Sequence, residues 1–270
     1  MSRIAEVFDG LAREGKKGLI PFITAGDPNL DVTTELMVEL AHAGAAIIEL
    51  GVPFSDPMAD GPVIQRASER ALRHGFGLDA VLETAAKARK RIDTPVVLFS
   101  YYNPLLQFGL DNLIRAAKKS GIDGVLVTDL TPEEAEPFSA LLRANHIDMI
   151  FLVAPTSTDE RLRMIGERAS GFIYAVSRTG VTGQRDELSA MAKKLVQRVR
   201  QFSELPVAVG FGISTKEQVA ETLSYADAAV VGSAIVAEIE RCANSKDIVG
   251  RIGRFVRSLV PESVNRVSSQ

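Results

Sequence analysis

With one cysteine in 270 residues, Cys242, the chain has no internal disulfide to form and none of the paired thiols that mark an oxidising compartment. Charge of one sign is scarce as well. Its 31 basic and 34 acidic side chains leave a formal net charge of -3, spread without a basic face for nucleic acid or a polybasic anchor for a membrane. Segment 2–15 interrupts its apolar residues with Arg3, Glu6, Asp9, Arg13 and Glu14, so it lacks the unbroken run of a signal peptide, and Ile4, Val7, Phe8 and Leu11 instead mark one face of a helix. These absences point to a cytoplasmic protein that acts on a small soluble molecule. His42, His74 and His146 fall in or beside helical segments without ligand spacing, so no metal site is expected. There is no Gly-Lys-Ser phosphate loop and no lysine at a strand end, which disfavours a nucleoside triphosphate and imine chemistry.

What is present is a repeated short apolar run of strand character, at 19–24, 46–51, 96–100, 124–128, 149–153, 172–176, 207–210 and 228–232, with helical periodicity between the runs. Strands this short, each returned by a helix, argue for a parallel sheet buried on both faces. Such units without a composition break, in a length near the roughly 250 residues of a (β/α)8 TIM barrel, predict one barrel domain over 1–270 with an N-terminal helix. The long second connection predicts an extra helix, with helices at 63–73 and 78–91 around His74-Gly75-Phe76-Gly77. An open, doubly wound sheet is the architectural alternative.

Glu49 stands at the end of an otherwise apolar strand, Ala46-Ile47-Ile48-Glu49-Leu50, where loss of water should raise its pKa toward neutrality and suit it to give and take a proton. Its plainer alternative is a solvated or arginine-paired carboxylate. Asp60 follows on a connection stiffened by Pro53, Pro57 and Pro62; it is either a second reacting carboxylate or a cap for the helix that starts near Pro62. Asp129 and Tyr174 also fall at strand ends, Tyr174 with the alternative of a core aromatic. After the later strands come Gly180 and Gly183, Gly210 and Gly212, then Gly232 with Ser233, glycines that let backbone N–H groups approach a phosphate. The set suits proton transfer on a phosphorylated substrate, by isomerisation or by carbon–carbon cleavage.

The chain resembles the tryptophan synthase α subunit family along essentially its whole length. The resemblance is carried by Pro21-Phe22-Ile23-Thr24-Ala25-Gly26-Asp27-Pro28, by Glu49-Leu50-Gly51-Val52-Pro53-Phe54-Ser55-Asp56-Pro57-Met58-Ala59-Asp60-Gly61-Pro62, by Ser177-Arg178-Thr179-Gly180-Val181-Thr182-Gly183, and by Gly210-Phe211-Gly212-Ile213 and Gly232-Ser233. It implies a (β/α)8 barrel that cleaves indole-3-glycerol phosphate to indole and glyceraldehyde 3-phosphate without a cofactor in this chain. Glu49 would be the general acid/base, Asp60 would hold the ring N–H, and Tyr174 would help orient Glu49. Phe22, Ile64, Phe99, Leu126 and Phe211 would pack the ring, Thr182 would close over the substrate and meet Asp60, and Gly183, Gly212, Gly232 and Ser233 would bind phosphate. The family usually has Pro where this chain has Thr131, followed by Pro132.

The resemblance also implies a β subunit that carries pyridoxal phosphate and receives the indole, in an α2β2 heterotetramer. The apolar stretch Tyr101-Tyr102-Asn103-Pro104-Leu105-Leu106-Gln107-Phe108-Gly109, read as a loop at the barrel mouth, is the expected contact surface, with inward packing as its alternative. A sugar-phosphate isomerase and a ligand-binding regulatory subunit are the competing functions.

Overall fold

The strand segments are apolar on both faces because one face looks into a barrel and the other meets a ring of helices. The structure, a computed structural model, describes residues 1–176, 185–210 and 212–261, with the side chains of 185–188 left aside. Strands β1 (Gly18–Thr24), β2 (Ile48–Gly51), β3 (Val96–Ser100), β4 (Gly124–Val127), β5 (Asp148–Val153), β6 (Ile173–Val176), β7 (Val207–Gly210) and β8 (Ala228–Val231) pair in parallel in chain order. β8 then returns to β1, with Gly18 opposite Ala228 and Pro21 opposite Val231. This closure makes a single (β/α)8 TIM barrel and excludes the open sheet.

Alternation along the strands sends Ile20, Ile47, Val97, Leu126, Ile150, Phe172 and Ala228 into one interior cluster. The other face of each strand meets helices such as α2 (Leu30–His42), α6 (Leu110–Ser120) and α9 (Arg185–Val199). Helix α1 (Arg3–Arg13), capped by the Ser2 hydroxyl, which accepts from the Ala5 N–H at 3.3 Å, closes the bottom of the barrel by inserting Ile4 and Phe8. The Phe8 and Phe172 rings lie 5.8 Å apart. Burying each of these side chains is worth about 1.5–3 kcal/mol, more than an exposed ion pair contributes, so the plug rests on packing.

The second connection holds two helices as expected, α3 (Pro62–Leu72) and α4 (Leu78–Arg89), separated at Gly75, whose φ of +69° suits only glycine well. The segment expected to be an apolar loop is different. Residues Tyr102–Phe108 form helix α5, with Pro104 in the first turn, where its missing N–H costs nothing, and Asp129 Oδ1 accepts the Tyr102 N–H at 2.7 Å. Leu105 faces the core and is fully buried, while Leu106 is 46% exposed, so part of this stretch packs inward. The chain ends its barrel with two helices after β8, α11 (Ser233–Cys242) and α12 (Ile248–Leu259).

Candidate active site

Phe22 and Glu49 are opposite one another across β1 and β2, and the alternation that turns Ile20 and Ile47 inward also turns this pair toward the mouth. Glu49 is 1% exposed, and neither carboxyl oxygen has a hydrogen-bond partner among the described residues. Among the described residues, then, neither plainer alternative is met: the carboxyl is not solvated and no arginine pairs with it. Burial alone pushes its pKa up to about 8. Tyr174 on β6 is also buried, and its hydroxyl pKa is raised first by burial and then by the negative charge of Glu49, which places the two groups within electrostatic reach. Gly210, at the end of β7, is what admits that ring: a Cβ there would lie 2.1 Å from the Tyr174 hydroxyl oxygen.

Asp60 sits in the connection before α3. The cap of that helix is Gly61, Pro62 is its first residue, and no side chain makes a cap hydrogen bond, so the capping alternative for Asp60 falls. Its carboxylate instead accepts from the Tyr101 hydroxyl, which lies 3.1 Å from Oδ2 and itself accepts the Ala59 N–H at 2.9 Å. Burial raises the Asp60 pKa to about 6, more than the hydrogen bond from Tyr101 lowers it. Tyr101 belongs to the stretch expected as the contact surface, yet it is 5% exposed and holds the Asp60 loop, with its ring centroid 5.1 Å from that of Phe54. The signal for this was strand alternation: Val97 and Phe99 point inward, and Tyr101 continues their side two residues on.

Beside Glu49, starting from its register partner Phe22, runs an apolar wall. The rings of Phe22 and Phe99 meet edge to face at 5.2 Å, and Val63, Ile64, Ala67 and Val236 pack with them. Gly51 leaves space for Phe22, since a Cβ there would fall 2.5 Å from the ring. Leu126, opposite Phe99 across β3 and β4, is fully buried in the interior cluster that also takes Tyr174. Thr182, Gly183 and Phe211 lie outside the described residues, as does Gly180. Gly212 has a φ of +70° and Gly232 is the cap residue of α11, whose first residue is Ser233. That helix has no acidic residue in its first turn and no side-chain cap among the described residues, unlike α10 (Lys216–Leu223), which Thr215 and Gln218 close with a reciprocal capping box. An open helix N-terminus of this kind favours an anion. Asp129 is occupied by the start of α5, and its charge is felt by the neighbouring Tyr101 hydroxyl.

Among the described residues no group of three or more His, Cys, Asp or Glu could hold a metal ion, and no helix is long and apolar enough to cross a membrane. A mouth built from strand ends, with two carboxyls of unequal acidity set beside an aromatic wall, marks the chain as a (β/α)8-barrel enzyme. Residues 8–259 match the family described as tryptophan synthase alpha chain. The tryptophan synthase alpha chain of Solibacter usitatus is 51% identical over 259 residues, covering 96% of this chain and 97% of that one. That of Cupriavidus metallidurans is 52% identical over 250 residues, with 92% and 94% covered. The crystal structure of tryptophan synthase subunit alpha from Legionella pneumophila superposes with a TM-score of 0.90 at 39% identity, covering 99% of this chain and all of the other. A chain of the α2β2 complex of Pyrococcus furiosus gives 0.83 at 40% identity, with 90% and 97% covered. The chain belongs to the tryptophan synthase alpha chain family.

Proposed function

We propose that Glu49 and Asp60 carry the reaction of this carbon–carbon lyase, the cleavage of indole-3-glycerol phosphate to indole and glyceraldehyde 3-phosphate. The supporting observation is the split in acidity between the two carboxyls, about 8 for Glu49 and about 6 for Asp60. At pH 7 the first is mostly neutral and the second mostly charged, which are the forms the reaction needs at its start. Glu49 gives its proton to ring carbon C3. The positive charge that develops at the ring nitrogen is met by the Asp60 carboxylate beside the N–H. Glu49, now a carboxylate, takes the proton of the adjacent glycerol hydroxyl, and the carbon–carbon bond breaks with its electron pair returning to the ring. Aldehyde and indole leave, and Glu49 ends protonated as it began.

Tyr174 orients Glu49. Phe22, Ile64, Phe99 and Leu126 pack the ring, joined by Phe211, and Thr182 closes over the substrate. Gly212, Gly232, Ser233 and Gly183 hold the phosphate. The partner is a tryptophan synthase β subunit in an α2β2 assembly, and pyridoxal phosphate belongs to that subunit and not to this chain. Met58, 92% exposed, and Leu106 are apolar side chains on these loops available for such a contact, and Pro53, Pro104 and Gln107 line a groove there. Leu105 is unsuitable for an interface probe because a charge there would disrupt the core. The pathway step and the lone Cys242 favour a cytoplasmic location. Indole formation from indole-3-glycerol phosphate by the purified chain, with and without a β subunit, tests the reading. No release of indole in either case overturns it.

Two further variants bear on the roles. Tyr101→Phe removes the hydroxyl that holds Asp60 and Ala59, and turnover near pH 7 is expected to fall about tenfold, the worth of one hydrogen bond to a charged group. That bond lowers the Asp60 pKa, so its loss should move the acid limb of the kcat/KM profile, expected near pH 6 in the parent, to higher pH. An unmoved limb would separate Tyr101 from the ionisation of Asp60. Ser233→Asp places a negative side chain at the open end of α11, and affinity for glycerol 3-phosphate, measured by calorimetric titration, is expected to drop at least tenfold.

A further inference from the structure

We propose that Arg70, held between Asp27 and Glu240, is a positioning residue that sets the distance between the ring end and the phosphate end of the substrate pocket. Helix α3 starts two residues after Asp60, and α11 starts at Ser233, so the two helices carry the two ends. Inside, Ala67 of α3 and Val236 of α11 are fully buried in the cluster that contains Phe22. Such packing resists approach of the helices, but it does not fix how far they slide along each other.

A chain of charged groups on the outer side supplies that restraint. Arg70 Nε and Nη2 donate to the two oxygens of Asp27 at 2.9 and 2.8 Å, and its Nη1 donates to Glu240 Oε1 at 2.6 Å. Arg66, one turn earlier on α3, forks onto the same Glu240 with two bonds of 2.8 Å. Three segments are tied by these bonds: the turn after β1, helix α3 and helix α11. An exposed ion pair would do little. Asp27, however, is 1% exposed, and a planar guanidinium that satisfies both oxygens of a buried carboxylate has little freedom left in where its third nitrogen points. His74, just past α3, adds a further tie to the same turn, with Nε2 2.7 Å from the Pro28 carbonyl oxygen.

The inference rests on the reading of the pocket given above, and its test keeps the two apart. Arg70→Lys leaves a positive charge for Asp27 but cannot fork onto both partners, and Glu240→Gln leaves the Arg70–Asp27 pair intact while weakening the link to α11. The probes are glycerol 3-phosphate, indole, and an indole carrying a three-carbon phosphate chain at C3. In both variants affinity for each of the two small probes is expected to stay within about twofold of the parent. Affinity for the joined probe and kcat for cleavage are expected to fall at least tenfold, because the ring no longer sits over Glu49 when the phosphate is seated. Unchanged affinity for the joined probe, or a loss shared equally by all three probes and tracking a fall in thermal stability, would overturn the positioning role. A parent chain that holds the joined probe no more tightly than its parts would overturn the reading of the pocket, and the clamp with it.

Discussion

Glu49→Gln is expected to lower the rate of indole release by at least about a thousandfold while leaving the barrel folded, since general acid–base catalysis contributes about 10²–10⁴-fold and here one group serves both proton transfers. Affinity for glycerol 3-phosphate should persist, because the phosphate end of the pocket is built from other elements. A second effect follows from burial. The folded protein holds the Glu49 proton more tightly than the unfolded chain, so ionisation is a penalty on folding that is absent below pH 4.5 and complete above about pH 8. A rise of this size corresponds to up to about 5 kcal/mol at 1.36 kcal/mol per pH unit. The glutamine variant carries no such penalty. Its melting temperature relative to the parent should therefore increase between pH 5 and pH 8 and level off above that, and the slope is the diagnostic part because the buried amide has a desolvation cost of its own that does not vary with pH. A variant that cleaves at near the parental rate would remove Glu49 from the chemistry, and a flat difference in melting temperature would remove its unusual acidity.

How much of this was legible in the chain depended on whether the cause was local. The strands could be found because burial on both faces leaves short apolar runs, and the reading placed β3 and β7 at their observed limits while β2 begins two residues later than the apolar run 46–51. Glu49 stood out for the same reason, as a charge in an apolar run. Helix α5 is not legible: at seven residues, and with its apolar residues nearly continuous, it shows no helical period, and the partner of its first N–H is Asp129, 27 residues away. Tyr101 looks like surface in the sequence because its hydroxyl partner, Asp60, lies 41 residues earlier. The ties of Arg70 to Asp27 and Glu240 reach across 43 and 170 residues, and nothing in the helical pattern of α3 distinguishes that arginine from its solvated neighbours. Gly210 illustrates the reverse, a residue noticed for one reason that serves another: it was grouped with the phosphate glycines, and what its missing side chain provides is room for Tyr174.

Asp60→Asn is the companion experiment, and its expected outcome differs from that of Glu49→Gln in an informative way. The amide keeps the shape of the side chain and a partner for the Tyr101 hydroxyl, so the loop before α3 should remain in place. What disappears is the full negative charge beside the ring nitrogen at the moment that nitrogen becomes positive. Loss of one such preorganised group costs about 10²–10³-fold in turnover. Since Gly61 and not Asp60 occupies the cap position of α3, the substitution should leave helix stability unaffected, and the melting temperature at pH 8 should stay within a few degrees of the parent. The pH profile should change with the rate. In the parent the acid limb is expected to report ionisation of Asp60 near pH 6 and the alkaline limb loss of the Glu49 proton near pH 8, so the variant should keep the second limb and lose the first. Stopped assays of indole release between pH 5 and pH 9 would show this directly. Retention of the acid limb in the asparagine variant would assign that limb to another group, and turnover equal to the parent would leave the ring nitrogen without a counter-charge from this loop.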